Sequence, residues 1–299
     1  MKKVLIIGCG LLGSSLVRRI SKKKLAKKIL IYEKSKSNIT KIKKLRLPGT
    51  IIKSLKDDVD NLDLIIFCTP MSEYKGLILK INSFISSKTI ITDIGSSKVE
   101  SSKIIRKFLK NGVYWTQSHP ITGSEVSGPE HGTDTMFEDK WCVLIKDKKT
   151  NLKHLKFLNS FWKKVGSKTV VMNSEKHDKI FSITSHLPHL IAYNLVKSAQ
   201  DFEKIIKFDL IKYSAGGLRD FSRIAASNEV MWRDIFFDNR QNISKAIDIF
   251  VKNLKDFKKD INLKKNKSII NKLIKAKKVR SQIIKLKQDI DKPDFGRSS

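Results

Sequence analysis

A glycine-spaced turn near the start of the chain constrains the fold more than any other feature. Lys3-Val4-Leu5-Ile6-Ile7 is a short apolar run suited to a buried strand, and Gly8-Cys9-Gly10-Leu11-Leu12-Gly13 follows at once. Residues 14–22 then read as a helix, and a second apolar run, Lys28-Ile29-Leu30-Ile31-Tyr32, ends at Glu33, twenty residues after Gly13. Strand, tight turn, helix and acid-terminated strand form the unit that holds a dinucleotide. Gly8 permits the tight turn, Gly10 lets the backbone approach a pyrophosphate, and Gly13 lets helix and strand pack closely. The helix start around Leu11 and Leu12 turns its free N–H groups to the phosphates. Glu33 accepts from the ribose hydroxyls and opposes a 2′-phosphate, so NAD is expected over NADP, although Lys34 and Lys36 work against that discrimination.

Further units of the same kind follow. Residues 61–68 form a buried strand closed by Thr69-Pro70, and residues 89–93 form another, closed by Ile94-Gly95-Ser96-Ser97. Strands at 113–115, 141–145 and 169–171 and a helix at 152–165 continue the alternation. The expected fold is α/β, a Rossmann-type doubly wound parallel sheet, followed by an all-α helical domain. Ligands in such sheets bind at the carboxyl ends of the strands, which adds Thr69, Pro70 and Ser96 to the cofactor-facing residues. From residue 174 onward the spacing is helical, over 176–200, 202–213, 221–226, 229–258 and 267–287. The domains are read as 1–173 for NAD binding, 174–287 for substrate and dimerisation, and 288–299 as an extended tail. The long apolar helix faces point to a homodimer through the helical domain.

Composition removes several function classes. The 61 basic residues against 29 acidic ones give a net charge of +32, yet only ten of the 61 are arginine and the lysines are spread. Readers of nucleic acid favour the arginine fork, so no nucleic-acid partner is expected and the lysines are read as a solvated surface. Cys9, Cys68 and Cys142 lie far apart with no ligand spacing, so no metal site is expected. No stretch approaches a membrane span, and the apolar run Val4-Leu5-Ile6-Ile7 before Gly8 is too short for a signal peptide. A cytoplasmic protein without a membrane partner is the expectation.

Four polar clusters can serve the nicotinamide end. They are Gly95-Ser96-Ser97-Lys98; Ser118-His119-Pro120-Ile121-Thr122-Gly123-Ser124-Glu125, taken as a strand-end loop; Ser185-His186-Leu187-Pro188-His189; and Gly216-Gly217-Leu218-Arg219-Asp220-Phe221-Ser222-Arg223. Together with the amino-terminal turn they resemble, in order and over nearly the whole chain, the prephenate/arogenate dehydrogenase family of tyrosine biosynthesis. Leu218, where relatives often carry an aromatic residue, and Ser124, where threonine is frequent, depart from the pattern without removing a chemical group.

The resemblance implies NAD-dependent oxidative decarboxylation of prephenate to 4-hydroxyphenylpyruvate and CO₂. His119 takes the role of base toward the C4 hydroxyl, for which a neutral imidazole suits pH 7. Ser96 helps hold the reacting groups, and His189 hydrogen-bonds substrate or cofactor. Prephenate is a dianion, so Arg223, with Arg219, is assigned to its carboxylates, and Glu125 and Asp220 to ionic contacts at the pocket mouth. His177 and His186 are read as structural. The alternatives are arogenate (cyclohexadienyl) dehydrogenase, another two-domain Rossmann and α-helical dehydrogenase of the β-hydroxyacid type, and a non-catalytic dinucleotide sensor.

Overall fold

The computed structural model describes residues 1–288. Its main sheet holds β1 (Lys3–Ile7), β2 (Lys28–Tyr32), β3 (Thr50–Ile52), β4 (Leu64–Phe67) and β5 (Ile90–Asp93) in the order β3-β2-β1-β4-β5, every pair parallel. Parallel strands need crossovers, and α1 (Leu11–Lys22), α2 (Lys36–Lys44) and α3 (Tyr74–Ile81) supply them within this sheet, while α4 (Val99–Phe108) leads out of β5. Because helices cover both faces, β1 is apolar throughout rather than alternating. Val4 and Ile6 pack with Leu16, Val17 and Ile20 of α1 on one face, while Leu5 and Ile7 pack with Leu77, Ile78 and Ile81 of α3 on the other.

A second sheet of β6 (Ser118–Pro120), β7 (Trp141–Ile145) and β8 (Lys168–Met172) follows, with β6 antiparallel to β7 and β7 parallel to β8 across α5 (Leu152–Val165). Two expectations are corrected here. Residues 113–115 contribute only a single bridge, Trp115 to Ile91, and Ser118–Pro120 is an edge strand, His119 pairing with Val143. Proline has no N–H to donate and is tolerated at an edge, which disguises this strand as a loop in sequence.

The remaining helices are α6 (Ser174–Phe181), α7 (Leu187–Ile206), α8 (Gly216–Ile224), α9 (Glu229–Asp238), α10 (Arg240–Asn262) and α11 (Asn266–Lys285). The run expected as one helix over 176–200 is broken by a π turn, Ser182–His186, and that expected over 229–258 divides between α9 and α10 at Asn239. Asn239 is buried and spends its side chain on Asp178 of α6 and His186 of the π turn rather than on its own helix turn, which accounts for the break. The chain forms two compact units, residues 1–243 and the residues from Ser244 onward. In the second, Asp260 of α10 accepts from Ser268 and Lys272 of α11 at 2.6 and 2.7 Å. Beyond Gln288 the expected tail lies outside the described residues. Among the described residues no helix is long and apolar enough to cross a membrane.

Candidate active site

The amino-terminal turn has the properties a dinucleotide requires. Gly8 sits at φ +89°, and a Cβ there would meet Thr69 Cγ2 at 2.8 Å. A Cβ on Gly13 would fall 2.2 Å from the Gly8 carbonyl oxygen, whereas one on Gly10 meets nothing within 4 Å. The outer glycines thus serve packing, and Gly10 leaves its approach open. Helix α1 begins at Gly10 with no side-chain cap and no acidic residue in its first turn, so the N–H groups around Leu11 and Leu12 remain available to an anion. Thr69 Oγ1, beside the turn, is buried without a partner among the described residues, and Pro70 is exposed next to it. Glu33 is fixed at the end of β2 by the N–H groups of Cys9 and Ser35, at 2.8 and 2.9 Å. Lys34 pairs with Glu73 at 2.6 Å, which occupies one of the two charges that work against the NAD preference. These residues fit NAD.

At the carboxyl end of β5 lies a charged core that the sequence reading missed. Asp93 and Lys98 are both fully buried and paired at 2.7 Å. Asp93 also accepts from Tyr74 Oη, Trp115 Nε1 and the Gly95 N–H, while Lys98 Nζ donates to the Ser118 carbonyl at 2.7 Å. Both Asp93 oxygens are matched and Lys98 Nζ has two acceptors, the kind of pairing under which a buried ion pair is tolerated. Lys98 therefore ties the Gly95–Lys98 turn of β5 to β6, immediately before His119. Within that turn only Ser96 keeps partial exposure; Gly95, Ser97 and Lys98 are buried.

His119 is buried, and its Nδ1 lies 2.8 Å from His177 Nε2. His177 Nδ1 lies 2.8 Å from Asp178 Oδ1. The Asp178 carboxylate, which also accepts the Lys98 and Val99 N–H groups at 2.9 Å, can only accept from His177. His177 therefore carries its proton on Nδ1, His119 donates from its own Nδ1, and His119 Nε2 is left as an acceptor. Burial holds both imidazoles well below the usual histidine range, reinforced by His177, Lys98 and His186 at His119, and by Lys98 and His186 at His177. Burial raises Asp178 against the pull of its two amide donors. His177, expected as structural, is thus the residue that sets the His119 tautomer; its one sequence signal is the adjacent His-Asp pair.

His189 on α7 gives its Nδ1 proton to the Ser185 carbonyl at 2.9 Å, which leaves Nε2 as an acceptor, and its ring stacks on Trp232 at 3.9 Å. Burial keeps it neutral by lowering its pKa. Trp232 belongs to α9, whose Asp234 accepts the Ser72 N–H at 3.0 Å just after Thr69-Pro70 and whose Asp238 accepts from Ser97 at 3.2 Å. Arg223 of α8 meets Glu125 at 3.3 Å and remains partly exposed. Arg219, one turn earlier, is exposed, and Asp220 is half-buried. The geometry joins His119 to the turn of Ser96 and joins Arg223 to Glu125. Among the described residues no hydrogen bond or ion pair joins Arg219 to either group.

Two family models cover the chain in sequence: the nucleotide-binding domain of prephenate dehydrogenase matches residues 16–171, and its dimerization domain matches residues 173–276. The chain belongs to the prephenate dehydrogenase family. A cyclohexadienyl dehydrogenase of Zymomonas mobilis is 32% identical over 254 residues, 85% of this chain and 86% of the relative. Prephenate dehydrogenase of Bacillus subtilis is 29% identical over 253 residues, 84% of this chain and 68% of the relative. Among solved structures, prephenate dehydrogenase from A. aeolicus in complex with hydroxyphenyl propionate and NAD+ superposes with a TM-score of 0.88 at 32% identity, over 95% of this chain and 98% of that one. The prephenate dehydrogenase fold is thus shared along almost the full length.

Proposed function

We propose that this chain oxidises prephenate with NAD and releases CO₂, giving 4-hydroxyphenylpyruvate for tyrosine biosynthesis. The observation that carries the reading is the His119–His177–Asp178 line, which leaves one bare imidazole nitrogen on the strand that Lys98 ties to the Ser96 turn. NAD, held by Gly8, Gly10, Leu11, Leu12, Gly13, Glu33, Thr69 and Pro70, supplies the hydride acceptor. His119 Nε2 takes the proton of the C4 hydroxyl as the C4–H bond gives up its electron pair. Cleavage of the bond to the ring carboxylate returns electrons to the ring and oxygen, and His119 gives the proton back to the phenol oxygen. No net proton is released. His177 spreads the charge on His119 between these steps, and the Ser96 hydroxyl and His189 Nε2 orient the reacting ring.

Arg223 takes a substrate carboxylate, with Arg219 adding charge at the mouth and Glu125 and Asp220 competing for the guanidinium groups. The active form is a homodimer through the helical segment, supported by the dimerization-domain match and by the exposed Phe202, Ile205, Ile211 and Tyr213 on and after α7. Its setting is the cytoplasm, with the lysines as solvent-facing charge rather than a nucleic-acid site. The test is NADH formation at 340 nm with NAD and NADP, each against prephenate and arogenate. Turnover of prephenate with NAD is the expected result. Turnover of arogenate alone moves the assignment to the reaction its cyclohexadienyl relative suggests, and no turnover from folded, NAD-binding protein overturns it.

A further inference from the structure

Helix α9 reaches the loops at the carboxyl ends of both β4 and β5. Asp234 and Asp238 stand one turn apart on it and share a face. Asp234 is buried; its Oδ2 accepts the Ser72 N–H at 3.0 Å, and its Oδ1 takes Arg233 Nε and Nη2 at 3.1 and 2.7 Å. Asp238 Oδ2 accepts from the fully buried Ser97 hydroxyl at 3.2 Å. Docking the helix does not require these acids, because Trp232 and Ile235 already bury it in the core beside Met71 and Tyr74. A carboxylate loses hydration in such a place and is tolerated only against specific donors.

Those donors lie where two helices start without caps of their own. Neither the 3-10 turn Met71–Glu73, which leads into α3, nor α4 begins with a side-chain cap. Asp234 serves the first from across the fold. Around the second, Gly95 donates its N–H to Asp93 at 3.1 Å, Lys98 and Val99 donate theirs to Asp178 at 2.9 Å, and Ser97 bonds Asp238. Ser96, in the middle of that turn, keeps partial exposure. The Ser72 loop in turn lies between two cofactor-facing groups: Thr69 abuts Gly8, and Glu73 pairs with Lys34 next to Glu33. Both loops fall within the nucleotide-binding match and α9 within the dimerization-domain match.

We propose that Asp234 and Asp238 are positioning residues with separate duties, Asp234 holding the Thr69–Glu73 loop for NAD and Asp238 holding the Ser96 turn for the reacting ring. Neither carboxylate touches cofactor or substrate. This inference rests on the reading that the two loops border NAD and prephenate.

The test measures the NAD dissociation constant, kcat and both KM values on full-length variants. Asp234→Ala should weaken NAD binding about 5- to 50-fold, with kcat at saturating NAD within about threefold. Asp238→Ala should do the reverse, lowering kcat about 10- to 100-fold with NAD binding within about threefold. Asparagine keeps an acceptor oxygen, so Asp234→Asn and Asp238→Asn should each recover most of the loss. Arg233→Ala, which leaves the Ser72 bond in place, should bind NAD within about threefold of normal. Ser97→Ala approaches the second bond from its other end and should match Asp238→Ala, with the double variant no worse than either single one. The same change of kcat and NAD binding in both alanine variants, asparagine variants as impaired as alanine, or additive losses at Ser97 and Asp238 would overturn the proposal. If the unaltered protein binds NAD but turns over no prephenate, the functional reading fails and the Asp238 duty with it, while NAD binding still decides the Asp234 duty. If the unaltered enzyme is active and the split is absent, this proposal alone fails.

Discussion

Replacement of His119 by asparagine separates the base from the scaffold that holds it. The asparagine amide nitrogen can stand where His119 Nδ1 stands now, so the donor to His177, 2.8 Å away, is kept and Nε2 is removed. The structural loss is the edge contact to Phe181 at 5.0 Å, about 0.5–1.5 kcal/mol for such an aromatic pair. That lowers the melting temperature by about 1–6 °C in a unit of this size. The kinetic loss is larger: a positioned general base contributes about 10²- to 10⁴-fold, or about 3–5 kcal/mol of barrier. Stopped-flow or steady-state NADH formation should therefore show kcat down by that factor, with the NAD dissociation constant unchanged because residue 119 lies outside the Gly8–Gly13 turn. His119 works unprotonated and its pKa is lowered, so activity of the unaltered enzyme falls only as pH drops below 6.5, and this acid limb should vanish in the variant. A kcat within about fivefold of normal, or an acid limb centred above pH 7, would refute the assignment.

Other consequences are equally open to measurement. Arg223→Ala should raise the prephenate KM about 10- to 100-fold, the loss of one charge-assisted hydrogen bond, while Glu125→Gln should lower it by freeing Arg223; steady-state kinetics on the pair decides. Lys98→Met strands the buried Asp93 carboxylate and should cost about 3–5 kcal/mol in urea unfolding, whereas Asp93→Asn with Lys98→Met should cost clearly less. Asp238 is pushed up to about 6, mainly by burial with Asp234, Glu100 and Asp178 adding to it, so its folded pKa exceeds the unfolded 3.8 and the carboxyl opposes folding increasingly as pH rises from 4 to 6. Asp238→Asn keeps an acceptor for Ser97 and should be more stable than the parent by up to about 3 kcal/mol above pH 6, the gain shrinking to nothing near pH 4; equal melting curves at pH 8 would contradict this.

The parts of the protein legible in sequence are those whose physics is local. The Gly8–Gly13 turn, the apolar β1, β2, β4 and β5, and Glu33 at its offset announce themselves because strand, turn and helix chemistry acts over a few neighbouring residues. β6 was hidden by its three-residue length and its proline, and the division at Asn239 by an apolar pattern that runs through it. His119, Ser96, His189, Glu125 and Arg223 were found through their resemblance to a family rather than through any pattern of spacing.

What those residues can do was decided by contacts between distant parts of the chain. His177 looks like any helix histidine until folding sets it 2.8 Å from His119, 58 residues away, and Lys98 looks like a surface lysine until it closes on Asp93 with both side chains fully buried. A tautomer depends on the identity of the atom across the hydrogen bond, and a charge in the core depends on what surrounds it; neither is encoded in a window of neighbours. The sequence by itself determined the dinucleotide fold and the inventory of reactive groups. The tertiary structure alone decided which nitrogen of His119 is left to take a proton, because only packing brings the Asp178 carboxylate and the His177 ring into line behind it.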